Sequence, residues 1–290
     1  METIAHNFLG IDPKYARYAD ARFVVLPVLY DSAASYQSGA RNGAPAIISA
    51  SHHVEWFDEE LERECHKCGI ATLDAVQPHL AGPKAMEEDL CRAARRVVRD
   101  GKFLFGLGGD HSISAGLIRG VMSKHKKLSI LQIDAHLDLR PEYLGSPYAH
   151  ACVMRRAHEL GATIVPVGIR AVDADEHRYL KASGIEPITA RDCHMEEDWL
   201  DRALNALGDP VYVTIDIDGF DPAYAPGTGT PEPGGLDWYQ VTGLLRMVAA
   251  EKNVVAADIV EVMPIPGQVV TEFLAARLAY KLMCYVCDRR

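Results

Sequence analysis

Short β-branched and apolar runs recur along the chain at residues 23–28, 103–105, 128–133, 163–167, 211–215 and 254–262. Stretches with helical apolar period separate them, at 85–98, 113–123, 153–160, 196–207, 238–250 and 271–286. A strand buried on both faces reads as a continuous apolar run, and strands alternating with amphipathic helices predict a parallel sheet covered on both sides. No linker rich in Pro, Gly or Ser interrupts the alternation and no internal repeat is visible, so residues 1–290 are expected to form one domain. Sheets of this kind open a crevice beyond the carboxyl ends of their strands.

Three of the runs end in chemistry. Val213-Thr-Ile-Asp216-Ile-Asp218 closes with two carboxylates one residue apart, Leu128-Ser-Ile-Leu-Gln-Ile133 runs into Asp134-Ala-His136-Leu-Asp138, and Phe103-Leu-Phe-Gly opens into Gly108-Gly-Asp110-His111-Ser. Alternate residues of an extended segment project to one side. Asp134, His136 and Asp138 therefore converge, as do Asp216 and Asp218. Carboxylates aimed at one point repel each other without a cation between them, and imidazole with carboxylate suits Mn²⁺, Fe²⁺, Co²⁺ or Zn²⁺. The glycine-rich turn at 106–111 could instead cradle a phosphate, but the third glycine and the Walker lysine are missing and an acid beside a phosphate is electrostatically wrong. His111 is read as a ligand, with Asp110 orienting its ring. The six donors His111, Asp134, His136, Asp138, Asp216 and Asp218 exceed the needs of one structural zinc; they suit two oxygen-loving cations, Mn²⁺ ahead of Zn²⁺ because the set is rich in acid.

Asp221-Pro222 reads as a turn, and Pro226-Gly-Thr-Gly-Thr-Pro-Glu-Pro-Gly-Gly235 as a shaped loop framing the crevice. Two further residues follow strand ends. His150 by itself reads as a core or surface histidine. Glu261, ending Asp258-Ile-Val-Glu261, could bind a cationic substrate or pair with Arg277.

The net charge of −10 disfavours a nucleic-acid or anionic-membrane partner and mildly favours cationic ligands. No apolar run is long enough to span a bilayer. Met1-Glu-Thr-Ile-Ala-His-Asn lacks a basic segment followed by an apolar one, so a cytoplasmic, reducing location is expected. Cys65-x-x-Cys68 and Cys284-x-x-Cys287 both have zinc-ligand spacing. They lie more than two hundred residues apart, and free thiols are expected ahead of a zinc site or a disulfide.

Taken together, Gly108-Gly-Asp-His-Ser112, Asp134-Ala-His-x-Asp138 and Asp216-x-Asp-x-x-Asp-Pro222, with Ala225-Pro-Gly-Thr-Gly-Thr-Pro-Glu-Pro-Gly-Gly235, resemble the ureohydrolase family of arginases and agmatinases over nearly the whole chain. The resemblance implies a three-layer α/β/α fold with a parallel sheet of about eight strands and two Mn²⁺ per chain. It implies that His111, Asp134, Asp138 and Asp216 hold one metal, and that His136, Asp134, Asp216 and Asp218 hold the other. His150 matches the family's proton-shuttling histidine, and Glu261 its guanidinium-binding acid. Trimers or hexamers are common in the family. Asp138, beside the water that the metals activate, is expected to carry its proton to the leaving amine.

Leu139-Arg140 after Asp138, and Ala151-Cys152-Val153 after His150, look more like agmatinases than arginases. Hydrolysis of agmatine to urea and putrescine is the expected reaction. Tyr30-Asp-Ser-Ala-Ala-Ser35-Tyr-Gln-Ser-Gly39, Ala44 and Ala151-Cys152 depart from the commoner agmatinase pattern at the entrance. Aminopropylagmatine, guanidinobutyrate, arginine and free guanidine therefore stay open as substrates. The competing expectation is a single-zinc, deacetylase-like amide hydrolase on the same fold.

Overall fold

The computed structural model describes residues 6–32 and 35–289. Residues 1–5, which carry most of the leader reading, and Ala33 and Ala34 of the 30–39 loop lie outside the described residues. Eight strands form the main sheet: β1 (Phe23–Pro27), β2 (Ile70–Thr72), β3 (Phe103–Leu107), β4 (Ser129–Ile133), β5 (Thr163–Ile169), β6 (Ile188–Thr189), β7 (Val211–Asp216) and β8 (Val254–Val260). Their order across the sheet is β2-β1-β3-β8-β7-β4-β5-β6. Every pairing is parallel.

Six of these strands are the six apolar runs. The other two, β2 and β6, are the sheet's edges. They span three and two residues, too few for any period to show, and short edges are one way a sheet avoids pairing with other chains.

Successive side chains of each strand feed opposite cores. Val24, Leu104, Ile130 and Tyr212 join the helices Pro83–Arg99, Ile113–Met122 and Val153–Glu159 on one face. Val25, Phe105, Leu131 and Val213 join Gly43–Ser51, Trp199–Ala206, Trp238–Glu251 and Val270–Asp288 on the other. The result is the expected three-layer α/β/α arrangement. Four α-helices were not legible; Pro13–Ala16 and Ala190–Met195 span four and six residues, too few for a period to show. Gly43–Ser51 is built largely of small residues. Ala174–Ser183 buries only Glu176 among its residues, so it has no apolar stripe, and a capping box from Asp173 and Glu176 starts it instead. Among the described residues no helix is long and apolar enough to cross a membrane.

Candidate functional site

The strand order sets β3, β8, β7 and β4 side by side. Their carboxyl ends deliver His111, then Glu261, then Asp216 with Asp218, then Asp134 with His136 and Asp138. The turn carrying His111 passes β1 very closely: a Cβ on Gly109 would lie 1.9 Å from the Tyr30 carbonyl oxygen. Only glycine allows that approach, and Asp110 N–H then donates to the same oxygen at 2.8 Å.

His111 Nδ1 lies 3.2 Å from Asp134 Oδ2, 3.0 Å from Asp138 Oδ2 and 3.4 Å from Asp216 Oδ2. It nevertheless makes no hydrogen bond. The other ring nitrogen explains the orientation. Thr214 Oγ1 gives its proton to Asp258 Oδ1 at 2.6 Å, so it is left to accept from His111 Nε2–H at 2.9 Å. In the neutral ring that a cation would require, this assignment turns the Nδ1 lone pair toward three carboxylate oxygens. Acceptors facing acceptors about 3 Å apart match the edges of an octahedron around a divalent ion with bonds of about 2.1 Å. Asp134 reaches both sides of the site. His111, Asp134 and Asp216 form one group able to hold a cation; Asp134, His136 and Asp218 form a second. In the second group His136 Nδ1 stands 3.0 Å from Asp218 Oδ2 and 3.7 Å from Asp134 Oδ1. The donor set fits two divalent cations sharing a carboxylate.

Backbone and amide donors fix the carboxylates. Gln132 Nε2 donates to Asp134 Oδ2 at 2.9 Å, His136 N–H to Asp134 Oδ1 at 2.6 Å, Ala135 N–H to Asp218 Oδ1 at 3.0 Å and Asp218 N–H to Asp216 Oδ1 at 2.9 Å. The Arg170 guanidinium, at the end of β5, gathers the carbonyls of Gly168, Asp218, Gly219, Phe220, Glu232 and Pro233. It thereby ties the Asp218 turn to the 226–235 loop. Arg170→Ala leaves those carbonyls without their donor. The expected result is a loss of about 3 kcal/mol of stability or more, seen in denaturant unfolding, together with weaker metal retention.

The carboxylates also control protonation. Burial resists charging of His111, but Asp134, Asp138 and Asp216 outweigh it and hold the imidazole well above its ordinary pKa. His136 rises to about 12, with Asp134 and Asp218 again overcoming burial. Burial, then the charge of Asp134, pushes Asp138 up to about 7. Burial, then Asp218 and Asp134, raise Asp216 well beyond the carboxylate range. Despite its burial, Asp134 is held low by the two imidazoles. A cation must displace these protons. With His136 protonated up to about pH 12, at least one proton leaves throughout the neutral range, so affinity rises by a factor of about ten or more per pH unit. Competition with a chromogenic chelator is expected to show binding tighter by about a hundredfold or more at pH 8 than at pH 6, and a flat profile would remove these groups as ligands.

Glu261 Oε1 accepts the His111 backbone N–H at 2.7 Å and lies 3.9 Å from His150 Nδ1. Burial, then the charge of Asp110, pushes its carboxyl well above the ordinary range. Burial, then the positive charge of His111 and His136, lowers His150 to about 4, so its imidazole is neutral near pH 7. His150 Nε2 meets Ser35 Oγ at 3.0 Å. Asp138 and Glu261 both hold left-handed backbone, at φ 52° and 61°. Non-glycine residues adopt that conformation at a cost of about 1–3 kcal/mol, and such strain clusters at functional sites. Outside the donor set a cavity of about 370 Å³ opens, lined by Ser35, Asp138, Arg140, Tyr143, His150, Asp173, Glu176 and Glu232 among others.

Two readings from sequence need correction. Thr214, backed by Asp258, orients the His111 ring; the Asp110 carboxylate instead accepts the Ser112 N–H at 3.0 Å. Arg277 bonds to Glu59 and the Glu55 carbonyl, on another part of the surface from Glu261. Asp221 is structural as expected, with Oδ2 taking the N–H groups of Gly234 and Gly235 at 2.7 and 3.0 Å. Thr214, Asp258, Gln132 and Arg170 went unread. For the first three the available signal was a polar residue inside an otherwise apolar strand; Arg170 lies just past the end of β5.

The sequence matches the Arginase family over residues 21–285. An N(1)-aminopropylagmatine ureohydrolase from Synechocystis sp. is 41% identical over 276 residues, covering 92% of this chain and 90% of its own. An agmatinase from Pyrococcus horikoshii is 34% identical over 84% of each chain. The solved structure of the agmatine ureohydrolase of Thermoplasma volcanium superposes with a TM-score of 0.87 at 29% identity, covering 99% of this chain and 94% of that one. With the fold, the twin donor groups and these similarities in agreement, the chain belongs to the arginase family, in its agmatinase-like ureohydrolase branch.

Proposed function

We propose that this protein hydrolyses a guanidino compound with an amine tail, agmatine or N(1)-aminopropylagmatine, to urea and the matching amine, and that it does so with two Mn²⁺ ions. One observation carries the reading. A twin set of oxygen-rich donors lies at the ends of β3, β7 and β4, and β8, between β3 and β7, supplies a buried acid, Glu261, 3.9 Å from the crevice-lining His150. A donor set dominated by carboxylates favours Mn²⁺ over Zn²⁺, and two groups rather than one argue against a single-zinc amide hydrolase.

Two divalent cations held by His111, Asp134, His136, Asp138, Asp216 and Asp218 supply the positive charge that brings a water's pKa into the neutral range. The remaining work falls to side chains. Glu261, a desolvated carboxylate, gains a permanent counter-ion when a guanidinium enters, and charge-assisted hydrogen bonds hold the planar group against it. Asp138, beside the place where that water would sit, can take the nucleophile's proton and return it to the leaving nitrogen. His150, neutral at working pH, can exchange protons between the crevice and solvent.

The tail preference follows from the cavity mouth. Asp173, Glu176 and Glu232 line it against one guanidinium, Arg140, whose charge Asp173 at 3.7 Å and Glu176 at 3.9 Å already offset. An amine tail meets net negative charge there and a carboxylate tail meets repulsion. Relatives of the chain act on both amine-tailed compounds by name.

Within the same proposal, residues 1–290 form one domain and the enzyme self-associates. The exposed Phe57, Val269, Val270 and Phe273 offer an apolar surface for that contact.

The test is urea release by the Mn²⁺-loaded protein from aminopropylagmatine, agmatine, guanidinobutyrate, arginine and guanidine. The amine-tailed pair is expected to lead in kcat/KM by about a hundredfold or more, the worth of one misplaced charge. Urea from none of them, or preference for a carboxylate tail, overturns the reading.

A further inference from the structure

The fold brings together the two cysteine pairs that sequence leaves more than two hundred residues apart. Cys65–Cys68 forms a 3-10 turn that packs against the end of the helix Val270–Asp288, which carries Cys284 and Cys287. On each element the i, i+3 spacing puts both thiols on one face. Cys65 meets Cys284, and Cys68 meets Cys287. All four are free thiols; Cys65 and Cys284 are buried, Cys68 and Cys287 half-buried.

The seam between the elements is held on every side. Tyr280 Oη accepts from Cys65 N–H at 3.1 Å and His66 N–H at 3.2 Å. Arg22 Nη2 donates to the Val286 carbonyl at 2.8 Å, and Arg63 pairs with Asp288 at 2.9 Å.

We infer that Cys68 and Cys287, with Cys65 and Cys284 behind them, form a reversible dithiol–disulfide clasp that fastens the C-terminal helix to the 3-10 turn.

The outer pair has the asymmetry of a nucleophile and its resolving thiol. The neighbouring Cys287 thiol, and then Arg22 and Arg63, overcome burial and lower the Cys68 thiol to about 6, while Cys287 is raised. Thiolate character with partial exposure is what makes a cysteine reactive.

The oxidant is a low-molecular-weight disulfide such as oxidised glutathione. Cys68 thiolate attacks one of its sulfurs; that S–S bond breaks, a mixed disulfide forms and one glutathione thiolate leaves. Cys287 then loses its proton and attacks Cys68 Sγ, expelling the second glutathione thiolate. Two protein thiols are oxidised, one glutathione disulfide is reduced, and the two protons released pass to the two glutathione thiolates. Cys65 and Cys284 repeat the exchange against the same oxidant when the seam opens. Neither pair touches the donor set, so the clasp governs stability rather than turnover. It closes a loop of more than two hundred residues, and the expected gain is a Tm higher by on the order of 10 °C.

The test uses the full-length, metal-loaded protein equilibrated across ratios of oxidised to reduced glutathione. Remaining thiols are alkylated and peptides mapped without reduction, with Tm followed in parallel. The expected result is a Cys68–Cys287 linked peptide at mildly oxidising ratios and Cys65–Cys284 at stronger ones. Both links should reverse in excess reduced glutathione, and Tm should rise with them. Cys287→Ser should trap Cys68 as its glutathione adduct. Should that variant fail to fold, the alkylation rates of the unaltered protein decide, with Cys68 expected to react first near pH 7. Three results would overturn the inference: no link between the two elements at the most oxidising ratio, links confined within Cys65–Cys68 or Cys284–Cys287, or a tightly held zinc that keeps all four thiols unreactive.

Discussion

Glu261→Gln is expected to lower kcat/KM by a factor on the order of a thousand, the scale of a buried charged hydrogen bond lost to a bound cation, while both metal ions stay in place. The substitution is nearly isosteric. The Gln carbonyl can still accept the His111 N–H that Glu261 Oε1 takes at 2.7 Å, so the turn carrying His111 keeps its support. What disappears is the negative charge. In the free protein that charge is a burden, since burial and Asp110 both oppose it. With a guanidinium in the crevice the burden becomes an attraction, because the two groups desolvate together. The loss should therefore fall on any guanidino substrate, whatever its tail. Metal content by elemental analysis and kinetics on one preparation check both halves of the expectation. Unchanged kcat/KM with intact metal would remove Glu261 from substrate binding.

Asp134→Ala should have a larger effect still, abolishing retention of both metals. Among the described residues Asp134 is the one common to the two donor groups, where the family resemblance led us to expect Asp216 to be shared as well; its Oδ2 lies 3.2 Å from His111 Nδ1 and its Oδ1 3.7 Å from His136 Nδ1. Outer partners of metal ligands are worth about ten- to a hundredfold in affinity, and a shared inner carboxylate should exceed that at each ion. The contrast is Asp218→Ala, which touches only the group with His136 and should leave one ion per chain. Equilibrium dialysis of the two variants against the unaltered protein separates a shared site from two independent ones. Equal losses in both variants would contradict the shared-carboxylate geometry.

The site was more legible than its supports, for a physical reason. An acid or imidazole at the end of an apolar run, as at Asp134 after Ile133 or Asp216 after Ile215, is costly unless something cationic meets it. Such residues therefore stand out. Thr214, Gln132 and Asp258 sit inside β7, β4 and the β8 run, where a single polar residue could equally serve packing. Their work depends on the neighbour that the sheet order supplies, and no local pattern encodes that order. The Thr214–Asp258 hydrogen bond joins β7 to β8 across 44 residues of sequence. For the same reason Asp110 was given a role that belongs to Thr214. The central strands were readable because burial on both faces makes them apolar throughout. The edges β2 and β6 are too brief to show it, and Ala174–Ser183, which buries little besides Glu176, has no stripe to read. The cysteine pairs were visible as spacing, but their meeting depends on the C-terminal helix returning to the Cys65–Cys68 turn.

The central claim is a pair of cations sharing Asp134. Its most direct test is to strip the protein of metal, add Mn²⁺ back in measured steps, and follow urea release from aminopropylagmatine and agmatine alongside bound metal. The account expects activity to keep rising until two Mn²⁺ are bound per chain and then to stop. Activity that saturates at one ion per chain, or urea release that proceeds in the stripped protein, would contradict it.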